Sequence, residues 1–162
     1  MLYSSRSMTI TLIKLVAYST VAIGFAVAVN SQGHRTKVGE GDGPIMREFR
    51  GISIGMTADE VRKKLGAPSS KSDEQDFFVL GEYETVQDVY DKTHKTIALS
   101  FDFSRGAENI PNAKAVFGAE IAPKPDGSMY KRVSYPKAGY WLSYNRTAGE
   151  QALTSLTFQR IE

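Results

Sequence analysis

The segment from Ile54 to Pro68, IGMTADEVRKKLGAP, constrains the fold most strongly because it carries complete signals for the start and the end of a helix. Thr57 followed by Glu60 is typical of a capping box, in which each side chain binds the backbone amide of the other residue. Gly66 permits the positive φ that ends many helices, and Pro68 cannot continue one. The segment predicts a helix of about nine residues, whereas an isolated helix needs roughly twelve to fifteen for stability.

The chain after this helix changes from a helical to an alternating apolar pattern. The runs that are rich in aromatic and β-branched residues, and that we expect to form strands or hairpins, are 77–91, 95–103, 128–135, 139–145 and 152–161. Within 95–103 the alternation predicts one buried face made of Ile97, Leu99, Phe101 and Phe103. Residues 91–94 are expected to form a hairpin turn. The short helix therefore has a sheet to pack on, and we predict an α+β fold with short helices on an antiparallel meander.

A second short helix is expected over residues 110–118, with Pro111 at its first position and Gly118 as its end. Strand patterns follow it, as they follow the first helix. A tandem α-βββ repeat is therefore an open alternative to a single extended unit. The only repeat signal in the letters themselves is the pair LGAP and FGAEIAP.

The first 28 residues have the layout of an export signal. Arg6 and Lys14 are their only charged residues, and residues 15–29 are uncharged. Small residues near the end of this run suit a cleavage site. As a helix, the uncharged run would span about 22 Å, less than the roughly 30 Å of a hydrocarbon core. We expect a signal peptide or an N-terminal membrane anchor over residues 1–28, and both place the rest of the chain outside the cytoplasm.

The composition of the remaining chain divides it into a linker and a domain. Residues 29–50 hold four glycines and a proline among scattered charges, which predicts a flexible linker before a domain over 51–162. Two of the 20 basic residues lie in residues 1–28, so 18 remain against 18 acidic residues. This balance gives no basic excess for binding nucleic acid.

The sequence contains no cysteine. Disulfides, thiolate nucleophiles, cysteine-ligated metals and a lipid-modified N-terminal cysteine are thereby excluded.

The pattern IxIGMTxxEVxxxLGxP, which residues 52–68 supply as ISIGMTADEVRKKLGAP, resembles the SmpA/OmlA (BamE) family of small bacterial envelope proteins. The same helix-plus-meander fold occurs in the β-lactamase inhibitory protein superfamily. The resemblance covers residues 50–104, about a third of the chain. It implies that the motif helix packs on a three-stranded antiparallel sheet and that the domain binds proteins in the cell envelope.

Two features depart from that family. Its envelope assembly proteins are lipoproteins, whereas this chain has no cysteine to lipidate. The segment 105–162 also exceeds a minimal single unit, which suits a tandem or extended member. These departures place lipid anchoring and membership of the outer-membrane assembly machine in doubt.

The leading hypothesis is a non-catalytic exported protein that acts as a protein-binding or envelope assembly module. It would lie in the periplasm, or be anchored in the inner membrane with its domain outside the cytoplasm. The expected partner is another envelope protein, and contact with the membrane is expected only through an uncleaved N-terminal segment. One alternative is an inhibitor of a secreted or periplasmic enzyme. Another is a hydrolase that uses paired carboxylates.

The residues with catalytic chemistry do not form a recognisable constellation. His34 and His94 are 60 positions apart and have no partners at metal-ligand spacing, so no metal or cofactor site is predicted. A hydrolase would have to use carboxylates such as Glu82 and Glu84 or Asp102. The acidic run 73–76 is expected to be solvated.

Aromatic residues concentrate near the C-terminus, between residues 130 and 144. Strand alternation sends Tyr140 and Tyr144 to one face and Trp141 to the other. One face is expected to be core, and an exposed tryptophan beside basic residues has the composition of a binding hot spot. The candidate partner-binding residues are Arg132, Tyr135, Tyr140, Trp141 and Tyr144, and the alternative is that most of these aromatic residues belong to the core.

Overall fold

Helix α1 occupies Ala58–Leu65 in the computed structural model, which describes residues 43–162. The predicted capping box is present: the Glu60 amide donates to the Thr57 hydroxyl at 3.3 Å, and the Thr57 amide donates to the Glu60 carboxylate at 2.8 Å. Acidic residues in the first turn and basic residues in the last turn complement the helix dipole. The helix prediction is confirmed, while the predicted signal or anchor over 1–28 and most of the linker lie outside the described residues.

Seven strands within residues 43–162 form one antiparallel sheet. They are β1 (Ser70–Lys71), β2 (Gln75–Gly81), β3 (Glu84–Tyr90), β4 (Thr96–Phe103), β5 (Met129–Tyr135), β6 (Tyr140–Arg146) and β7 (Thr154–Arg160). Their spatial order is β1-β2-β3-β4-β7-β6-β5, so β4 and β7 meet at the centre. The fold is therefore α+β with an antiparallel sheet, as predicted.

The hairpin between β3 and β4 turns at the predicted residues. The His94 amide donates to the Asp91 carbonyl at 2.8 Å, and the Thr93 amide donates to the Asp91 carboxylate at 2.9 Å. Beyond this turn, Tyr90 pairs with Thr96 whereas the preceding residue of β3 pairs with Ala98. The extra residue forms a bulge that buries Thr96 completely, so the face predicted for β4 is wrong at its first two positions.

Helix α2 occupies Ala113–Phe117 and is shorter than predicted. Its N-cap is Asn112, whose side-chain oxygen accepts from the Ala115 amide at 2.8 Å. Pro111 therefore precedes the cap instead of standing at the first helical position, because an asparagine side chain satisfies an amide at this helix end. Gly118, at φ 73°, ends the helix as predicted. Of the helices in residues 43–162, none combines the length and the hydropathy that a bilayer crossing requires.

The core lies between the helices and one face of the sheet. From outside the sheet, Ile52, Val61, Ala113 and Val116 contribute to it. Its largest fully buried side chains on the sheet are Phe78, Leu99, Phe101, Phe103, Leu142, Leu156 and Phe158. Because these residues occupy alternate positions of paired strands, their neighbours in sequence point to the opposite face.

The chain before residue 51 also packs on this core. The Phe49 ring meets the Phe101 ring edge to face, with 4.9 Å between centroids, and the Tyr140 hydroxyl donates to the Met46 carbonyl at 3.2 Å. The packed region therefore begins N-terminal of the boundary predicted at residue 51. The glycine-rich, charged composition of residues 29–50 predicts a linker, and the few apolar residues at its end are too few to change that average.

Candidate functional site

The face of the sheet opposite the helices is the candidate site, because both helices pack on the other face. Its centre is small and polar. The hydroxyls of Ser100 and Thr157 lie 3.2 Å apart across β4 and β7, and the Ser155 hydroxyl donates to the Asp102 carboxylate. We call this surface the open face.

The aromatic part of the open face lies on β5 and β6. The guanidinium carbon of Arg132 is 4.2 Å from the centre of the Trp141 ring, which is the geometry of a cation–π contact. Arg132 is exposed and Trp141 is half-buried. Tyr130 lies two residues before Arg132 on the same strand and is 54% exposed. The structure thus brings the predicted Trp141 and Arg132 together and adds Tyr130, which alternation along β5 would have placed on this face.

The three other predicted binding residues lie in the core. Tyr135, Tyr140 and Tyr144 are all buried on the helix-covered face. Burial raises the pKa of each of these three hydroxyls above its usual value. In this conformation they have no surface to offer a partner, which agrees with the alternative that the aromatic cluster is mostly core.

Apolar side chains also occur at the other end of the open face. Phe77 and Val79 of β2 are exposed there, and β1 pairs with only part of that strand. The open face therefore has a polar centre between two less polar ends.

A buried polar cluster lies on the covered face, beneath α1. Asp76 of β2 and Asp88 of β3 are direct cross-strand neighbours, and both are 0% exposed. Arg62 of α1 donates to both carboxylate oxygens of Asp76, at 2.6 and 3.2 Å. The Thr96 hydroxyl donates to one oxygen of Asp88 at 3.3 Å. Within the described chain, the other Asp88 oxygen and the Tyr90 hydroxyl have no partner at hydrogen-bond geometry, although the Tyr90 hydroxyl interacts with both carboxylates electrostatically.

The electrostatics of this cluster follow from burial and from the ion pair between Arg62 and Asp76. Burial raises the pKa of Asp88 to about 7, and the hydrogen bond from Thr96 opposes part of that rise. The hydrogen bond to Asp76 raises the pKa of Arg62 above its usual value. Burial also raises the pKa of Tyr90. Arg62 therefore stays cationic and pairs with Asp76, whereas Asp88 exchanges its proton near neutral pH.

The burial of Asp76 contradicts the expectation that the acidic run 73–76 is solvated. Asp76 lies two residues before the core residue Phe78, and Asp88 lies two residues after the core residue Val86. Because side chains alternate between the faces of a strand, this spacing in the sequence indicates that both carboxylates point to the covered face. Since both carboxylates are fully buried, the pair is not accessible to a substrate in this conformation.

A polar pocket of about 360 Å³ lies at the N-terminal end of α1. It is lined by Thr57, Ala58, Asp59, Arg62, Thr93 and His94. The amides of Thr57, Ala58 and Glu60 at this helix end already donate to the Glu60 carboxylate, the His94 carbonyl and the Thr57 hydroxyl, so these three are not free to bind an anion. His94 lies in an exposed turn, as expected, and its imidazole forms no hydrogen bond to a hydroxyl or carboxylate within residues 43–162. His34 lies outside the described residues.

The carboxylates considered for hydrolysis do not converge. Glu84 points to the covered face and forms an ion pair with Arg50. Asp102 points to the open face, since its β3 neighbour is Thr85 and not Glu84. Glu82 lies in the exposed turn between β2 and β3. In the part of the chain that the structure describes, no group of three or more histidine, cysteine or acidic residues is arranged to hold a metal ion.

Comparison of the chain with protein-family models, curated proteins and solved structures finds no match.

Proposed function

We propose that the protein is a non-catalytic exported module that binds another envelope protein through the open face of its sheet. The observation that carries this proposal is the stacked pair of Arg132 and Trp141 on that face, with the exposed ring of Tyr130 beside it. Tryptophan, tyrosine and arginine dominate the energetic centres of protein interfaces because they combine a large contact area with directional hydrogen bonds.

The dimensions of the open face suit a protein partner. Six strands of seven or eight residues, each about 23 Å long at a spacing of about 4.8 Å, give a face of roughly 650 Å². A standard protein interface buries about 800 Å² on each partner. The open face with its rim therefore approaches the area that a stable complex needs, whereas a small ligand would leave most of it uncovered.

The polar centre of the open face also favours binding over catalysis. Its hydroxyls bond one another or Asp102, and the open-face residues of β4–β7 include no histidine that could act as a base. Hydroxyls in such a network can instead exchange hydrogen bonds with a partner's backbone.

The proposal includes a BamE-like architecture that is built as a tandem of two helix-plus-meander units. Helix α1 precedes β2–β4, and α2 precedes β5–β7. The last strands of the two units, β4 and β7, are neighbours at the sheet centre. From the centre outward, the strands of each unit follow in the same order, last to first. This arrangement supports a repeat and accounts for the additional segment 105–162.

The export part of the proposal is supported by the N-terminal sequence. The basic start, the uncharged run and the small residues near Ala28 are the features of a secretion signal. With no cysteine for lipidation, the protein would be periplasmic or held by an uncleaved inner-membrane anchor. N-terminal sequencing of the exported protein separates these forms, since cleavage gives a start at Val29 and an anchor retains Met1.

Capture of envelope proteins by the full chain tests the binding function. We expect Trp141→Ala to weaken recovery of the partner by roughly 30-fold, the effect of losing a hot-spot contact of about 2 kcal/mol. Tyr83→Ala is the matched control, because Tyr83 is an exposed aromatic residue in the turn between β2 and β3. Equal recovery with both variants would contradict the proposed site. Inhibition of an envelope hydrolase by the wild type, lost in Trp141→Ala, would assign the same surface to an enzyme inhibitor.

A further inference from the structure

Strand β5 forms one edge of the described sheet. It pairs with β6 along all seven of its residues, Met129–Tyr135. Within residues 43–162, no backbone hydrogen bond joins β5 to a segment on its outer side. Its outward-facing backbone groups therefore form a row that an additional extended strand could pair with.

All charged residues of the hairpin that carries this edge are basic. Between Gly127 and Gly149 the chain has four basic residues and no acidic one. Two of the four are on β5 itself: Arg132 stacks on Trp141, and the Lys131 ammonium lies 5.0 Å from the centre of the Phe117 ring. Neither of these two forms an ion pair within the described residues, so their charge is available to an acidic group.

The charge on β5 selects between possible occupants of the edge. In a symmetric antiparallel pairing of two copies about the middle of β5, Arg132 would lie opposite Arg132 of the second copy. Like charges in directly opposed positions destabilise a strand pair. A strand with acidic residues at alternate positions would instead place carboxylates beside Arg132 on the open face.

We propose that the edge of β5 binds an extended acidic peptide segment as an eighth strand of the sheet. The alternation along β5 determines which β5 side chains the segment meets on each face of the sheet. Its side chains on the open face lie beside Tyr130 and Arg132, and those on the covered face lie beside Lys131 and Val133. A segment with acidic residues at alternate positions therefore meets Arg132 on one face while its backbone pairs with the edge. This inference rests on the proposed function for the identity of the partner as a protein, and it specifies the part of the partner that docks.

The test is amide hydrogen exchange of the full chain with a synthetic probe of alternating glutamate and valine and a matched probe of alternating lysine and valine. With the acidic probe at about ten times its Kd, exchange of the outward amides of β5 should slow by roughly tenfold. The lysine probe should give no protection. Arg132→Glu should weaken the acidic probe and admit the lysine probe, whereas Arg105→Glu, an exposed arginine outside the hairpin, should change neither result.

Three outcomes would overturn the inference, and the third is failure of the acidic probe to bind. The first is binding of the acidic probe without protection of β5. The second is equal binding by a single-stranded RNA or by phosphatidylglycerol vesicles that depends on Arg132, because this would identify a general polyanion surface. If the probe fails while the envelope partner is still captured through Trp141, the proposed function stands and strand addition is wrong. If β5 is protected by the acidic probe but no envelope protein is captured, the edge inference stands and the proposed function fails.

Discussion

Replacing Asp88 by asparagine should remove a pH dependence of stability that this buried carboxyl gives to the domain. Asp88 is fully buried, accepts one hydrogen bond from Thr96 and lies next to the Asp76–Arg62 ion pair. The change Asp88→Asn keeps the shape of the side chain and its carbonyl acceptor. It removes the ability to ionise and replaces one carboxyl oxygen by an amide nitrogen.

The size of the effect follows from the pKa of Asp88, which burial raises from 3.8 to about 7. Below pH 4 the carboxyl is protonated in both the folded and the unfolded state, and its full contribution to stability is present. Between pH 4 and pH 7 the folded protein holds a proton that the unfolded chain has released, so stability falls as the pH rises. The total loss corresponds to roughly 4 kcal/mol, and it is complete above pH 7.

Urea unfolding of the full chain at pH 5, 6, 7 and 8, followed by circular dichroism, measures this difference. The free energy of unfolding of Asp88→Asn minus that of the wild type should rise by roughly 3 kcal/mol from pH 5 to pH 8. Contributions from ionisable groups that the two proteins share cancel in the difference. Asp73→Asn controls for net charge, because Asp73 is exposed just before β2. A difference that changes by less than about 1 kcal/mol across this range would mean that Asp88 does not carry this pH dependence.

Three further substitutions test the packing. Arg62→Met should cost about 3–5 kcal/mol in urea unfolding at pH 7, because it leaves the buried Asp76 without its cation; a negligible cost would mean that water reaches the cluster. Thr57→Ala should cost about 1 kcal/mol by the same measurement through loss of the N-cap hydroxyl, and Thr57→Ser should restore most of it. Phe49→Ala should cost about 2–3 kcal/mol and lower the thermal midpoint, since the ring packs edge to face on the core; an unchanged midpoint would identify the chain before residue 51 as a linker.

Elements whose signals are local could be predicted from the sequence. Thr57, Glu60 and Gly66 lie within ten residues of one another, and together they specify where α1 begins and ends. The hairpin at 91–94 is equally local, because Asp91 accepts hydrogen bonds from amides two to four residues later. Such features need no knowledge of the tertiary structure.

Features that depend on distant residues could not be predicted in the same way. Asp76 is buried because Arg62, 14 residues earlier, reaches it from α1. The parity of Asp76 in β2 indicates its face, but only the helix shows how a carboxylate is tolerated there. The bulge that turns Thr96 inward likewise arises from the register of β4 on β3, which no single strand reveals.

The division of β6 between two faces determines where binding can be studied independently of folding. Tyr140, Leu142 and Tyr144 point into the core, and Trp141 between them points to the open face. The backbone of the sheet therefore separates the buried carboxylates and tyrosines, whose changes alter stability, from Trp141 and Arg132, whose changes alter a surface. A loss of partner capture in Trp141→Ala with unchanged unfolding would be a loss of contact, whereas the same loss in Tyr144→Ala would report a damaged core. The tyrosines that increase the aromatic content of this segment thus support the site from beneath without forming part of it.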